Sequence, residues 1–116
     1  MQDRVLVVEE EDSTNRAIRR FFEFQGFHVD CASEPEEAEA LLSNYAYGIV
    51  ISSPRLTPAH GSEGLRVLSY AQDHCPSARA VMLAAPGHAE VEDEARGRGI
   101  AILERSQIFG LPRLAS

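Results

Sequence analysis

Two rhythms of apolar residues alternate along the chain. Arg4-Val5-Leu6-Val7-Val8 is an apolar run too short for a helix and rich in valine, which predicts a strand covered on both faces. The acidic stretch Glu9-Glu10-Glu11-Asp12 follows as a loop, and the spacing then turns helical. Thr14, Ile18, Phe21, Phe22 and Gln25 mark a stripe, with Ala17 and Phe24 beside it; Ser13 or Thr14 can cap this helix and Gly26 ends it. Phe27 to Ala32 alternates and predicts a second strand. Ser33-Glu34-Pro35-Glu36 fits a capping box in which Ser33 caps and Glu36 reaches back, with proline in the first turn. The second helix turns Ala38, Leu41 and Leu42 inward, with Tyr45 as the last candidate of that stripe. Tyr47 to Ser52 predicts the third strand and a loop to Gly61 follows. Ser62 then caps a third helix that buries Leu65, Leu68 and Ala71, and Pro76 sits just past its end. Ala80 to Ala84 is a fourth strand broken by Pro86-Gly87, residues 88–97 an acidic and weakly patterned helix, and Ile100 to Leu103 a fifth strand.

Strict alternation of strand and helix implies a parallel sheet with helices on both faces and right-handed crossovers. No linker, low-complexity segment or longer repeat interrupts it, so residues 1–116 read as one domain. The final helix is the exception. Only ten residues follow Ser106, and they include Gly110 and Pro112, so this helix is expected to be short or missing. One face of the sheet should then be thinly covered, and an exposed apolar patch often finds a partner.

Composition narrows the function. No stretch approaches the roughly 20 apolar residues of a membrane span, and the N-terminus lacks the pattern of a signal peptide, so no membrane contact and a cytoplasmic location are expected. A net charge of −7, from 18 acids and 11 bases, argues against direct nucleic-acid binding. The cluster Arg16, Arg19 and Arg20 reads as a solvated helix face. Cys31 and Cys75 lack zinc spacing and read as free thiols.

Ligands of such sheets bind beyond the carboxyl ends of the strands. Those tips carry Glu9, Glu10 and Glu11 after the first strand, Ser52, Ser53 and then Arg55 after the third, Ala84, Ala85 and Pro86 after the fourth, and Glu104, Arg105 and Ser106 after the fifth. With these residues in place the chain, from Arg4 to Ser106, resembles the response-regulator receiver domains of two-component phosphorelay signalling, the CheY-like family. "RVLVVEEEDS" resembles the first strand and its metal-binding acids, "YGIVISSPRLTPAHGSEGLRVL" the phosphoacceptor strand and third helix with its Gly-x-x-Gly-Leu start, "AVMLAAPGH" the fourth strand and "AILERS" the fifth. The resemblance implies a flavodoxin-like α/β fold, a doubly wound five-stranded parallel sheet in the order 2-1-3-4-5.

Residue by residue, the family's chemistry is altered. The phosphoacceptor aspartate falls on Ser53, the switch hydroxyl on Ala84, the switch aromatic on Ile102, the lysine on Arg105 and its following proline on Ser106. The metal-binding acids fall on Glu9 and Glu10, charged but one methylene longer. Ser53 offers a hydroxyl with no evident base to activate it, and it removes one carboxylate from a Mg²⁺ site. Ala84 cannot donate to a phosphoryl oxygen, and the planar fork of Arg105 does not replace an ammonium point donor. Mg²⁺ binding is therefore expected to be weak or lost, and no other cofactor is expected. An ion pair from Arg105 to Glu9 or Glu10 could hold the pocket in one state. His28, His60, His74 and His88 carry no pattern, and the single glycine of "PGHAE" is no phosphate loop.

The sequence thus predicts a pseudo-receiver without enzymatic activity, a phosphorylation-independent interaction module whose partners are signalling proteins such as a histidine kinase or an output domain, with its oligomeric state open. The family's output surface would here carry Glu90, Glu92, Asp93, Glu94, Arg96 and Arg98, with its last helix stunted. Two alternatives stand beside it. One is a working but atypical phosphoacceptor, although the nearest acid after the third strand, Glu63, lies ten residues beyond Ser53. The other is a small-ligand binder using the same crevice.

Overall fold

A computed structural model describes residues 3–54 and 63–111. Among the described residues five strands and five helices alternate: β1 Arg4–Val8, α1 Asp12–Phe24, β2 His28–Ala32, α2 Pro35–Asn44, β3 Ile49–Ser52, α3 Glu63–His74, β4 Arg79–Leu83, α4 Ala89–Gly97, β5 Ala101–Leu103 and α5 Arg105–Ile108. The strands form one sheet, all parallel, in the order β2-β1-β3-β4-β5. This is the flavodoxin-like architecture expected from the sequence.

Strand alternation sorts the core into two layers. Leu6, Val8, Val50 and Met82 meet Ala38 and Leu42 of α2, Leu65, Leu68 and Ala71 of α3, and Ala95 of α4. Val5, Val7, Ile49, Ile51, Val81 and Leu83 meet Ile18 and Phe22 of α1, together with Ile108 and Leu111. Both sides of β1, β3 and β4 are covered, which is why these strands read as continuous apolar runs.

The last helix among the described residues, α5, is a single turn, with a capping box between Glu104 and Gln107 at its start. The expected thin face is nevertheless sealed at its centre, because Ile108 and Leu111 are fully buried there. Phe109 sits edge-on to Phe21 with ring centroids 4.8 Å apart. Phe24 lies off the buried stripe and is 89% exposed.

The helix starts differ from the expected ones. The cap of α1 is Glu11, and its carboxylate accepts from Ser13 Oγ at 3.1 Å and Thr14 Oγ1 at 2.5 Å. Both hydroxyls lie inside the first turn, where they steady the acid instead of capping. The capping box expected for α2 does not form, and the helix starts one residue later than expected. Glu34 is the cap, and Glu37, one turn inside, accepts the Ser33 amide at 3.0 Å. Tyr45 is not core; it lies at the end of α2, half exposed, with the Arg4 guanidinium 4.4 Å above its ring. The cap expected at Ser62 lies outside the described residues, as do Arg55, His60 and Gly61.

A polar seam ties β1 and β2 to the segment that leads into β3. Asp30 Oδ2 accepts from Arg4 Nη1 at 2.8 Å and from the hydroxyl of the fully buried Tyr47 at 2.7 Å, and His28 Nε2 lies 3.2 Å from Oδ1. Burial pushes the Asp30 carboxyl up, but the Tyr47 and Arg4 hydrogen bonds outweigh it and hold the group below its ordinary range. Burial and the same acid push the Tyr47 phenol up.

Candidate functional site

The carboxyl edge of the sheet is built from backbone bonds first. Glu9 continues the sheet by donating its amide to Ala32 O at 3.0 Å, and Asn15 Nδ2 donates to Glu9 O at 3.0 Å. The Glu9 side chain is buried, and its Oε1 accepts the Glu11 amide at 3.1 Å. Burial raises the Glu9 carboxyl, against the opposing pull of the Glu11 amide and Arg105. Glu10, one residue on, is exposed. Among the described residues no cluster of three or more His, Cys, Asp or Glu side chains is arranged to hold a metal ion.

The β3 tip is the most tightly wired part of the site. The Ser53 amide donates to Val8 O at 3.1 Å, and Ser52 Oγ donates to Ser53 O at 2.9 Å. Ser53 itself is only 8% exposed. Helix α3 begins against this tip, with the Gly64 amide donating to Pro54 O at 2.9 Å. A Cβ on Gly64 would stand 1.8 Å from Ser53 O and 2.9 Å from Pro54 Cα. Only glycine allows so close an approach of helix to strand tip.

On the other side of the crevice the Ala84 amide donates to Leu103 O at 2.8 Å, and the next amide, of Ala85, donates to Glu92 Oε2 at 3.2 Å. Ala84, Ala85, Pro86, Glu92, Glu104, Arg105 and Ser106 line an open hollow of about 620 Å³. Ile102 does not line it. It pairs with Met82 in the sheet and packs into the layer that holds Val91 and Ala95 of α4.

The expected ion pair forms with a different acid. Arg105 Nη2 lies 3.8 Å from Glu11 Oε1, and both side chains are more than half exposed. The reason is burial. Glu9 already binds a backbone amide inside the crevice, whereas Glu11 caps α1 at the rim, where Arg105 emerges from α5. Hydrogen bonds from Thr14 and then Ser13, with the positive charge of Arg105, lower the Glu11 carboxyl below its ordinary range. A pair so exposed contributes little to stability.

The structure thus brings Glu9, Ser53, Ala84 and Arg105 to one edge and leaves Ile102 partly buried against the α4-side layer. Two participants escaped the sequence reading. Glu11 was one of four adjacent acids with nothing to single it out. Glu92 was read as helix surface, because its contact with Ala85 depends on the turn at Gly87, whose φ is +81°.

No family model matches the chain, and no curated protein matches it. Its fold is that of the receiver domains of response regulators. A CheY-like response-regulator receiver domain protein from Methanospirillum hungatei JF-1 superposes with a TM-score of 0.84 at 18% identity, over 99% of this chain and 94% of that one. A structure described as adenylate cyclase from Rhodopirellula baltica gives a TM-score of 0.84 at 20% identity, over 99% of this chain and 87% of that one. A response regulator from Burkholderia pseudomallei, with a phosphorylated aspartic acid and a calcium ion, gives 0.73 at 19% identity, over 85% of this chain and 56% of that one. Identities this low establish the shared fold.

Proposed function

We propose that this domain is a pseudo-receiver: a protein-interaction module of two-component signalling that works without phosphoryl transfer at its β3 tip and without enzymatic activity of its own. The observation that carries this reading is the chemistry of that tip. A buried serine, Ser53, stands at the end of β3, where the resemblance leads one to expect an aspartate.

The surrounding residues support the same reading. An aspartyl phosphate is a mixed anhydride, and a serine hydroxyl cannot form one. The donors left at the crevice fit Mg²⁺ poorly. Glu9 is committed to the Glu11 amide, burial favours its neutral form, and Arg105 brings a positive charge alongside. Magnesium asks for near-ideal octahedral geometry from oxygen donors with carboxylate charge. Ala84 has no hydroxyl to follow a phosphoryl group, and Ile102 has no polar atom to report one.

In this reading the partner is another signalling protein, a histidine kinase or an output domain, and recognition rests on a surface that does not wait for a phosphate. The exposed face of α4 is charged and mixed, with Glu90 beside the pairs Asp93–Arg96 and Glu94–Arg98, and such a face suits a complementary charged protein surface. The test is an amide NMR titration with Mg²⁺ and then beryllofluoride. The expected result is no saturable shift at Glu9, Glu10, Ser53 or Ala84. Saturable shifts at those amides that extend to Ile102 and Arg105 would establish a working, atypical phosphoacceptor instead. A thermal shift with nucleotides in the absence of metal would favour the small-ligand reading.

A further inference from the structure

We infer that Glu92 is a bolt that fastens helix α4 to the tip of β4 and holds the β4–α4 loop in one arrangement. At the end of β4 two consecutive amides are tied in different directions. Ala84 donates to Leu103 O of β5 at 2.8 Å, which extends the sheet. Ala85 has no strand beyond it to bond. Its amide instead donates at 3.2 Å to the Glu92 carboxylate, which arrives from the first turn of α4. That turn is itself fixed, since the Glu92 amide donates to His88 O at 2.9 Å. The chain between donor and acceptor reverses at Gly87, with φ +81°, a conformation that favours glycine. The result is a closed ring from Ala85 to Glu92 that takes in the first turn of α4.

A carboxylate suits this position for two reasons. Its bond to a backbone amide is charge-assisted, stronger than one between neutral groups. It also sits in the first turn of a helix, where the macrodipole favours negative charge. The side chain is only 15% exposed, and its second oxygen has just a loose neighbour, Arg96 Nη2 at 3.9 Å. Arg96 spends its closer contact on Asp93, at 3.0 Å. The Ala85 amide is therefore the main partner of Glu92.

The consequence concerns control of the loop. Residues 84–88 cannot swing toward Ser53 without breaking the Ala85–Glu92 bond or dragging α4 with them. The arrangement of α4 over the layer holding Ile102 is then set by Glu92, from the helix side. This inference stands whether or not Ser53 accepts a phosphate, so the beryllofluoride titration and the test below fail separately.

The test is hydrogen exchange of the whole chain by NMR, comparing wild type with Glu92→Ala and Glu92→Gln. Glutamine retains an acceptor oxygen at the same reach and alanine does not. Exchange at Ala85 should quicken by about tenfold or more in Glu92→Ala and by no more than about threefold in Glu92→Gln, while Leu83 and Ala95 keep their protection. Millisecond exchange broadening should appear at Ala84, Ala85 and Gly87 in the alanine variant alone. Ala85 exchange within about twofold of wild type in Glu92→Ala would overturn the bolt. Should that variant fail to fold, Glu92→Asp takes its place, because its carboxylate falls one methylene short of the Ala85 amide. Exchange at Ala85 should again quicken while Leu83 and Ala95 keep their protection, and Ala85 exchange within about twofold of wild type overturns the bolt equally.

Discussion

Gly64 lets helix α3 touch the β3 tip, and replacing it with alanine should destabilise the protein although alanine is the better helix former. The new Cβ would lie 1.8 Å from Ser53 O and 2.8 Å from Ser53 C, both backbone atoms that no rotamer change can move aside. Ordinary contact begins near 3.4 Å, so helix and tip must separate by 3.4 − 1.8 = 1.6 Å. The same movement would stretch the 2.9 Å bond from the Gly64 amide to Pro54 O beyond hydrogen-bonding range. Overpacking costs about 1–3 kcal/mol and the lost hydrogen bond about 1 kcal/mol, against about 1 kcal/mol gained in helix propensity. The net loss is about 2 kcal/mol, or roughly 8 °C in Tm for a domain of this size. Gly97 supplies the control, since it lies in α4 without a positive φ and a Cβ there meets nothing within 4 Å. Gly97→Ala should raise stability by about 0.4–1 kcal/mol. Thermal unfolding followed by circular dichroism measures both, and amide spectra of Gly64→Ala should show shifts at Val8, Ser52 and Ser53. A Gly64→Ala protein as stable as Gly97→Ala would refute the close approach and the wiring of the tip built on it.

Three further outcomes follow from the ionisable groups. Tyr47→Phe removes the 2.7 Å bond to the Asp30 carboxylate and should cost about 1.5–3 kcal/mol at neutral pH, measured by urea unfolding. Because the folded Asp30 carboxyl lies below its ordinary range, the stability it supplies is present above the unfolded value and lost as pH falls through the folded one; the gap between wild type and Tyr47→Phe should close in acid. Glu9 has the opposite sign. Its carboxyl is raised by burial, so the charged form weakens the fold at neutral pH, and Glu9→Gln should raise Tm at pH 7 with a gain that fades as pH falls through the raised folded value and is gone below the ordinary glutamate value of 4.5. Arg105→Ala should leave Tm within experimental scatter, because its pair with Glu11 is solvent-exposed; a clear drop would show that the rim pair holds the crevice after all.

The architecture was legible because its causes are local and repeated. Val5 to Val8, Gly48 to Ile51 and Ala80 to Leu83 can only be strands buried on both faces, and the intervening helical stripes force a parallel sheet. Ser53, Ala84 and Arg105 could be brought together on paper because strand tips in such a sheet share one edge. What stayed hidden were contacts decided by fractions of a turn. Ser13, Thr14 and Ser33 are chemically able to cap, yet the helices start where Glu11 and Glu34 put them, and no pattern in the sequence separates those options. Arg105 faced three adjacent acids, and burial, which selected Glu11, is a property of the assembled edge. Phe24 lies beside the α1 stripe in the sequence pattern, and the helix phase turns it fully outward. Its exposure could not be inferred from hydrophobicity alone.

The one-turn helix α5 has a consequence for the order in which the protein becomes finished. Ile108 and Leu111 close the layer over Val5, Val7, Ile49 and Ile51, residues made much earlier in synthesis. Until residue 111 has left the ribosome, half of the sheet has a lid on one edge only, from α1. The face over these strands is therefore finished by two side chains made after every strand beneath them. Until Ile108 and Leu111 arrive, that face offers an apolar strip which α1 covers only in part.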